Sequence, residues 1–360
     1  MTATPLENRL KALIRLSGPI SIADYMSMCL GDPQHGYYMA RDPFGQKGDF
    51  ITAPEVSQMF GELIGLWAVD LWLGAGKPSP VHLVELGPGR GTLMIDAMRA
   101  SRIIPEFQTA VRVHMVESSP RLTAIQWDRL AAAGIAADWH ERIDQLPVGP
   151  SIFIANEFFD ALPIRQFQRT QGIWRERMVG LDGEDRLAFG TGAAVLATDE
   201  IPAELRGAED GAILELAPAA FGLAEMLADR IARSGLGLLA IDYGYVRTAI
   251  GDSFQAVRSH KPVDPLAQPG EADLTALVNF EALARAGRQS GVAVHGPVEQ
   301  GDFLLRLGLA ERAGRLGADK TRAIRDSITN DVHRLVSAEE MGSLFKVLAF
   351  TAPGLKPAGF

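Results

Sequence analysis

The chain opens with apolar positions at helical spacing and changes rhythm near residue 80. "TPLENRLKALIRLSG" and "SIADYMSMCLGD" repeat apolar residues every three or four positions, so each reads as a helix. Thr4 caps the first, with Pro5 in its first turn, and Ser21 caps the second. "EVSQMFGELIGLWAVDLWLGAG" keeps the period through Met59, Leu63, Leu66 and Leu71 and stops at glycines. Before it, "PQHGYYMARDPFGQKGDFITAP" has no period and is rich in Gly, Pro and aromatics. A connection that long is uncommon inside a compact domain and is often functional.

From residue 80, short apolar runs alternate with amphipathic ones. "VHLVEL", "VRVHMVE", "IAADW" and "SIFIAN" read as strands; "TLMIDAMRAS" and "PRLTAIQWDRLAAAG" read as helices between them. Such alternation predicts a parallel α/β sheet with right-handed crossovers. Over 164–216 the pattern becomes hairpin-like, with "RQFQRTQGIWRERMVGLDGEDRLAFG" and "GAILELAP" predicting an antiparallel insertion. The α/β rhythm resumes with "PAAFGLAEMLADRIARSG" and "LGLLAIDYG". Residues 250–272 read as a second long loop, followed by a helix in "DLTALVNFEALARAG" and a strand in "VAVHGPV". Helices then run to about residue 333, and "SLFKVLAFT" is a last strand. The expected organisation is an N-terminal helical cap over 1–75 and an α/β domain over 76–360, with insertions at about 164–216 and 250–333.

The tight loop after the first strand carries candidate chemistry. It reads Glu85-Leu86-Gly87-Pro88-Gly89-Arg90-Gly91-Thr92. A P-loop would require a Lys that is absent. The dinucleotide fingerprint would require a third glycine where Thr92 stands, so an NAD-type site is the weaker match. Glu85 lies at the carboxyl end of its strand, where open α/β sheets bind ligands. A carboxylate there repels a pyrophosphate and suits a cationic amine or sulfonium. Gly87, Gly89 and Gly91 would let the backbone approach the ligand. Glu117, ending the second strand, can accept from ribose hydroxyls. Asp138 and Trp139 follow in the third strand, near the expected adenine. The ligand that joins these features is S-adenosylmethionine.

"SIFIANEFFDALP" places Asn156, Glu157 and Asp160 past the fourth strand, on the same edge. Methyltransferases acting on amide or base nitrogens use an Asn-Pro-Pro-aromatic loop; here it reads Asn-Glu-Phe-Phe. A carboxylate can hold a guanidinium bidentately, so Glu157 with Asp160 could grip one on both edges. The same residues also suit a helix N-terminus, with Asn156 as cap. Asp242 and Tyr243 end another strand facing the crevice. Phe50 and Thr52 in "GDFITAPE" could lie over the cofactor, with His35, Tyr37 and Tyr38 in a lid. His260 and Lys261 sit in the second loop.

Composition narrows the classes. The net charge of −9 argues against a broad nucleic-acid footprint. The single cysteine, Cys29, excludes an internal disulfide and a Cys-based zinc site. The seven histidines lack metal-ligand spacing, so no metal is expected. No run reaches the roughly 18 apolar residues of a membrane span. The N-terminus lacks a signal-peptide h-region, and Glu7 counts against a mitochondrial presequence. A cytoplasmic protein is the expectation.

The set "HGYYM", "GDFITAPEVSQMFGELIG", "VELGPGRGTLM", "ANEFFDALP", "IDYGY", "HKPVDPLAQPGEADLT" and "QGDFLLRLG" resembles the MidA family, from about residue 5 to 350. The resemblance implies a class I S-adenosylmethionine methyltransferase fold, a Rossmann-like seven-strand sheet with added elements. It implies methylation of a protein arginine, since the mitochondrial members modify an arginine of the 49-kDa subunit of complex I in the matrix. By motif, the cofactor glycines map to Gly87, Gly89 and Gly91, the preceding acid to Glu85, and the post-strand loop to Asn156 through Asp160. A short N-terminus suggests a bacterial-type member whose parallel target is an NADH dehydrogenase subunit. A homodimer is compatible with the sequence. Alternatives left open are a small-molecule methyltransferase and a non-catalytic assembly chaperone for a respiratory complex.

Overall fold

The structure, a computed structural model, describes residues 3–40 and 52–360. The chain divides into two units that interleave along the sequence.

One unit comprises Phe44–Phe159, Leu223–Val246 and Phe280–Phe360. Its strands are β1 (Val81–Leu86), β2 (Val111–Val116), β3 (Ala137–His140), β4 (Ser151–Asn156), β5 (Leu236–Tyr245), β6 (Ala293–Glu299) and β7 (Phe345–Thr351). Spatially they run β3-β2-β1-β4-β5-β7-β6. The first five are mutually parallel. β7 is antiparallel to both β5 and β6. From β1 the chain moves outward to β2 and β3, then returns to place β4 on β1's other side. That reversal opens a crevice at the carboxyl ends of β1 and β4.

Every residue of β1 and β4 is buried, as expected for parallel strands covered on both faces. Alternation sends Val81, Leu83 and Glu85 to one side and His82, Val84 and Leu86 to the other. The first side joins Val113, Ile154 and Leu239 in one core with two helices, α1 (Gln58–Gly74) and α2 (Thr92–Ala100). These helices cross closely. A Cβ at Gly65 would lie 2.5 Å from the Ala97 Cα, and one at Gly61 would lie 2.7 Å from the Asp96 Cβ. Buried Glu62 ties the layer together. It accepts from Arg99 of α2 at 2.9 Å and from Arg312 of the helix Leu309–Gly317 at 2.7 Å. The two cations hold its carboxyl below the usual range against the opposing effect of burial.

The opposite face of the sheet carries three histidines that are far apart in sequence. His82 Nδ1 meets His114 Nε2 at 2.9 Å, and His114 Nδ1 meets His140 Nε2 at 3.0 Å. Each contact needs one donor and one acceptor, so it suits neutral rings. Burial, followed by the neighbouring imidazoles, pushes His114 down to about 4.

The other unit comprises Met1–Pro43, Asp160–Gly222 and Arg247–Asn279. The helices Pro5–Ser17 and Ile22–Gly31 form where the sequence places them, with Thr4 and Ser21 as side-chain caps. Ile20–Ser21 adds an antiparallel edge to Ile173–Leu181, with Ile20 opposite Val179. Ile173–Leu181 also pairs with Arg165–Thr170 and Leu187–Val195, so 164–216 is the antiparallel segment expected. Leu6, Leu10, Tyr25, Cys29, Val179 and Leu274 share one core. The first helices therefore group with the antiparallel segment, whereas α1 groups with the parallel sheet.

The loop reading of 250–272 needs correction. Gln255–Arg258 and Lys261–Val263 form a hairpin whose two turn residues, Ser259 and His260, have φ of 51° and 60°. Such turns usually announce themselves by Asn or Gly, and this one does not. Asp273–Thr275, read as the start of a helix, is a buried strand paired with Gln255–Val257; the helix runs only from Phe280 to Gln289. Among the described residues no helix is long and apolar enough to cross a membrane.

Candidate functional site

At the carboxyl ends of β1 and β4 lies a cleft of about 40 Å³. Its walls include Thr52, Glu85, Gly87, Gly89, Asn156 and Glu157, six residues singled out from the sequence. Phe50, expected over the cofactor, lies outside the described residues.

Gly87, Gly89 and Gly91 have φ of 59°, 53° and 74°, in the left-handed region that favours glycine. A Cβ on Gly87 would come 2.7 Å from the Phe158 ring, and one on Gly91 would come 2.8 Å from Leu130 Cδ1. Gly91 precedes α2 as its cap residue. The backbone thus turns from strand to helix with glycine at every second position.

Glu85 is the dominant electrostatic feature. It is only 4% exposed, and burial pushes its carboxyl up to about 8, opposed only by the Met94 backbone N–H. Its Oε2 has no hydrogen-bond partner among the described residues. Asn156 Oδ1, also on the wall, is a second buried acceptor without one. Arg90 Nε, on the same wall, is a buried donor without one. An unmet carboxylate oxygen and an unmet cationic donor fit the zwitterionic end of an amino acid: ammonium against Glu85, carboxylate against Arg90.

Glu157 follows β4 with φ of 49°, a conformation a non-glycine residue adopts only when its surroundings hold it. The buried carboxylate of Asp242 supplies that hold. Its Oδ2 accepts from the N–H groups of Phe158 and Phe159 at 3.1 and 2.9 Å, and its Oδ1 accepts from Tyr243 N–H at 3.0 Å. Asp242 therefore fixes the turn that presents Glu157. Glu157 Oε1 accepts from Ala53 N–H at 3.0 Å and from Asn156 Nδ2 at 3.2 Å. The carboxylate thus anchors the short helix Ala53–Val56 beside Thr52.

Glu117 is half-buried just past the end of β2. Its Oε1 accepts from Ser119 N–H at 2.8 Å and its Oε2 from Gln126 Nε2 at 3.1 Å. Burial raises its carboxyl, and these donors oppose the rise. Trp139 reaches the same group, donating Nε1–H to Gln126 Oε1 at 2.9 Å. Asp138 does not join it. Strand alternation turns its side chain the other way, toward His114 at 3.9 Å, with 75% of the side chain exposed. Asp160 belongs to the other unit, where its carbonyl accepts from Ala276 N–H at 3.0 Å. There its carboxylate, after burial and Asp273, keeps the Tyr38 phenol protonated; that phenol donates to Asp273 at 2.9 Å.

Several wall and support residues were not singled out from sequence. Thr92 donates to Glu55 Oε1 at 2.5 Å, and Arg129 donates to Thr92 Oγ1 at 2.9 Å and to the Arg90 carbonyl at 2.8 Å. Gln126 carried a readable signal: it lies between Leu122 and Leu130 on the buried stripe of its helix, where a polar residue needs partners. Among the described residues no group of three or more His, Cys, Asp or Glu could hold a metal ion.

Comparison with known proteins agrees with this chemistry. Residues 63–298 match the model of a family described as S-adenosyl-L-methionine-dependent methyltransferases. The mitochondrial protein arginine methyltransferase NDUFAF7 homolog of Drosophila melanogaster is 38% identical over 381 residues, covering 98% of this chain and 86% of the relative. The mitochondrial protein arginine methyltransferase NDUFAF7 of Homo sapiens is 37% identical, covering 96% and 83%. A crystal structure of a COG1565 superfamily member from Burkholderia thailandensis bound to S-adenosyl-homocysteine superposes with a TM-score of 0.86 at 27% identity, covering 99% of this chain and 96% of that one. The strand order, the glycine turn and the unmet acceptors at its mouth therefore have one source: the chain belongs to the MidA-like family of S-adenosyl-L-methionine-dependent methyltransferases.

Proposed function

We propose that this methyltransferase modifies an arginine side chain of a protein partner, with Glu157 and Asn156 orienting the guanidinium and Glu85 facing the cationic end of the cofactor. The observation that carries the reading is the pairing of Glu157, held at φ 49°, with the unmet acceptor Asn156 Oδ1 on one cleft wall. A guanidinium is planar, has five donors and stays protonated in water, so aligned acceptors suit it. S-adenosylmethionine, when bound, supplies a methyl group on a sulfonium. The chain's own task is positioning: Glu157 restricts the guanidinium's rotation so that one nitrogen points along the methyl–sulfur axis. An N–C bond forms as the C–S bond breaks, and the nitrogen then loses one proton, which a nearby carboxylate can accept.

The names of the Drosophila and human relatives support arginine as the target. By family resemblance the partner is an NADH dehydrogenase subunit of the 49-kDa type, met in the cytoplasm of a bacterium. Glu85, Gly87, Gly89, Gly91, Glu117, Trp139 and Thr52 form the proposed cofactor set. The test is mass spectrometry of the partner from cells with and without the gene, supplemented with wild type or Glu157→Gln. An arginine about 14 or 28 Da heavier, present only with wild type, supports the reading, provided that Glu157→Gln still binds S-adenosylhomocysteine. Unchanged incorporation by Glu157→Gln would remove Glu157 from the reaction; no arginine mass change in any partner would remove the substrate.

A further inference from the structure

We propose that Gln126 is the positioning residue for the nucleoside half of the cofactor site. Its carboxamide is fully buried on the helix Pro120–Ala132 and touches three separate elements. Nε2 donates to the Gly89 carbonyl at 2.8 Å and to Glu117 Oε2 at 3.1 Å. Oε1 accepts from the Trp139 indole at 2.9 Å. Two donors and one acceptor are thus used on the glycine turn, the end of β2 and β3.

The partners fix the orientation of the amide. Turned over, its oxygen would face a carbonyl and a carboxylate, and its N–H groups would face an indole N–H, so all three contacts would be repulsive. The side chain therefore has one satisfied state, and that state holds the Gly89 carbonyl and limits the rotation of Glu117. Ser119 N–H holds the other Glu117 oxygen at 2.8 Å. A carboxylate clamped at both oxygens keeps its remaining lone pairs pointed in fixed directions, ready for hydroxyl donors. The inference rests on reading Glu117 as the ribose acid, and the experiment separates the two.

Calorimetry would compare S-adenosylhomocysteine and its 2′-deoxy analogue on wild type, Gln126→Met, Gln126→Glu and Glu117→Gln. Gln126→Met keeps the volume and loses the donors; affinity for S-adenosylhomocysteine should fall roughly 10- to 100-fold, with a smaller loss for the 2′-deoxy ligand. Gln126→Glu can hold Glu117 only while one of the two acids is protonated. Its affinity relative to wild type should therefore fall steadily from pH 6 to pH 8.5. Affinity unchanged in Gln126→Met, or an equal loss for both ligands, overturns the proposal, since a purely structural role would not distinguish the 2′-hydroxyl. If Gln126→Met does not fold, the pH series on Gln126→Glu decides, and a flat ratio overturns it. Unaltered binding by Glu117→Gln overturns the ribose reading and the Gln126 proposal with it. Weakened binding by Glu117→Gln with none by Gln126→Met overturns Gln126 alone.

Discussion

At the scale of single residues, the site is defined by groups that its own fold leaves incomplete. Among the described residues Glu85 Oε2 and Asn156 Oδ1 are buried without partners, which a folded protein rarely tolerates unless a ligand completes them. Glu85→Gln should therefore weaken S-adenosylhomocysteine binding by about 10- to 100-fold, the worth of a hydrogen bond to a charged group. Equal dissociation constants in calorimetry would show that the ligand's cation lies elsewhere. Gly87 makes a different demand, combining a φ of 59° with a Phe158 ring 2.7 Å from any added Cβ. Gly87→Ala should cost about 1–3 kcal/mol in urea denaturation, part from the left-handed backbone and part from the ring. Adding Phe158→Leu should recover only the second part; full recovery would mean the backbone carries no strain. Much of this chemistry was legible in sequence, because Glu85, the glycines, Asn156 and Glu157 follow strands whose ends the apolar pattern marks. The partners of Gln126 and Asp242 were not, because they lie 37 and 83 residues away; only the place of Gln126 on an apolar helix stripe signalled that it needs them.

At the scale of elements, two close approaches set how firmly the site is held. The α1–α2 crossing brings Gly65 against the backbone of Ala97, which cannot move aside as a side chain could. Gly65→Val should lower the urea midpoint by an amount equivalent to about 1–3 kcal/mol or more and loosen the glycine turn at the head of α2. An unshifted midpoint would mean the helices re-space freely. The second is the histidine row across β1, β2 and β3. His114, driven to about 4 from the ordinary value of 6.5, is neutral in the folded sheet but charges in the unfolded chain. Its contribution to stability is present above pH 6.5 and is lost as pH falls toward 4. Wild type should lose stability across that window, and His114→Gln should lose less; parallel curves would place the acid sensitivity in other groups. The parallel strands were read directly from their uninterrupted apolar runs. The hairpin at 255–263 was missed because its Ser-His turn carries no glycine or asparagine. The division of the N-terminal helices between units follows from the Ile20–Val179 pairing, a long-range register that local pattern does not encode.

At the scale of the whole molecule, the proposed reading of Glu85 as the acid facing the cofactor joins binding, proton release and fold stability in one equilibrium. Burial raises its carboxyl from the ordinary 4.5 to about 8, so the ligand-free enzyme carries it mostly protonated at pH 7. An ammonium or sulfonium beside it favours the ionised form, so binding near neutrality releases a proton. Affinity should then rise about tenfold per pH unit below 8 and level off above it, up to the pH at which the ligand's own amine deprotonates. The stability of the free enzyme runs the other way. A carboxyl with a raised folded value contributes fully below its unfolded value, and that contribution is lost as pH climbs from about 4.5 to about 8. Ligand that binds only the folded state adds about 2.7 kcal/mol at one hundred times its dissociation constant. At a fixed concentration of S-adenosylhomocysteine, the ligand-induced rise in melting temperature should therefore grow from pH 6 to pH 8 in wild type. In Glu85→Gln, which cannot ionise there, it should stay nearly flat, while the ligand-free variant should melt above wild type at pH 8. A wild-type shift that ignores pH, or one that grows equally in Glu85→Gln, would separate the buried acid from the cofactor and return Glu85 to a packing role.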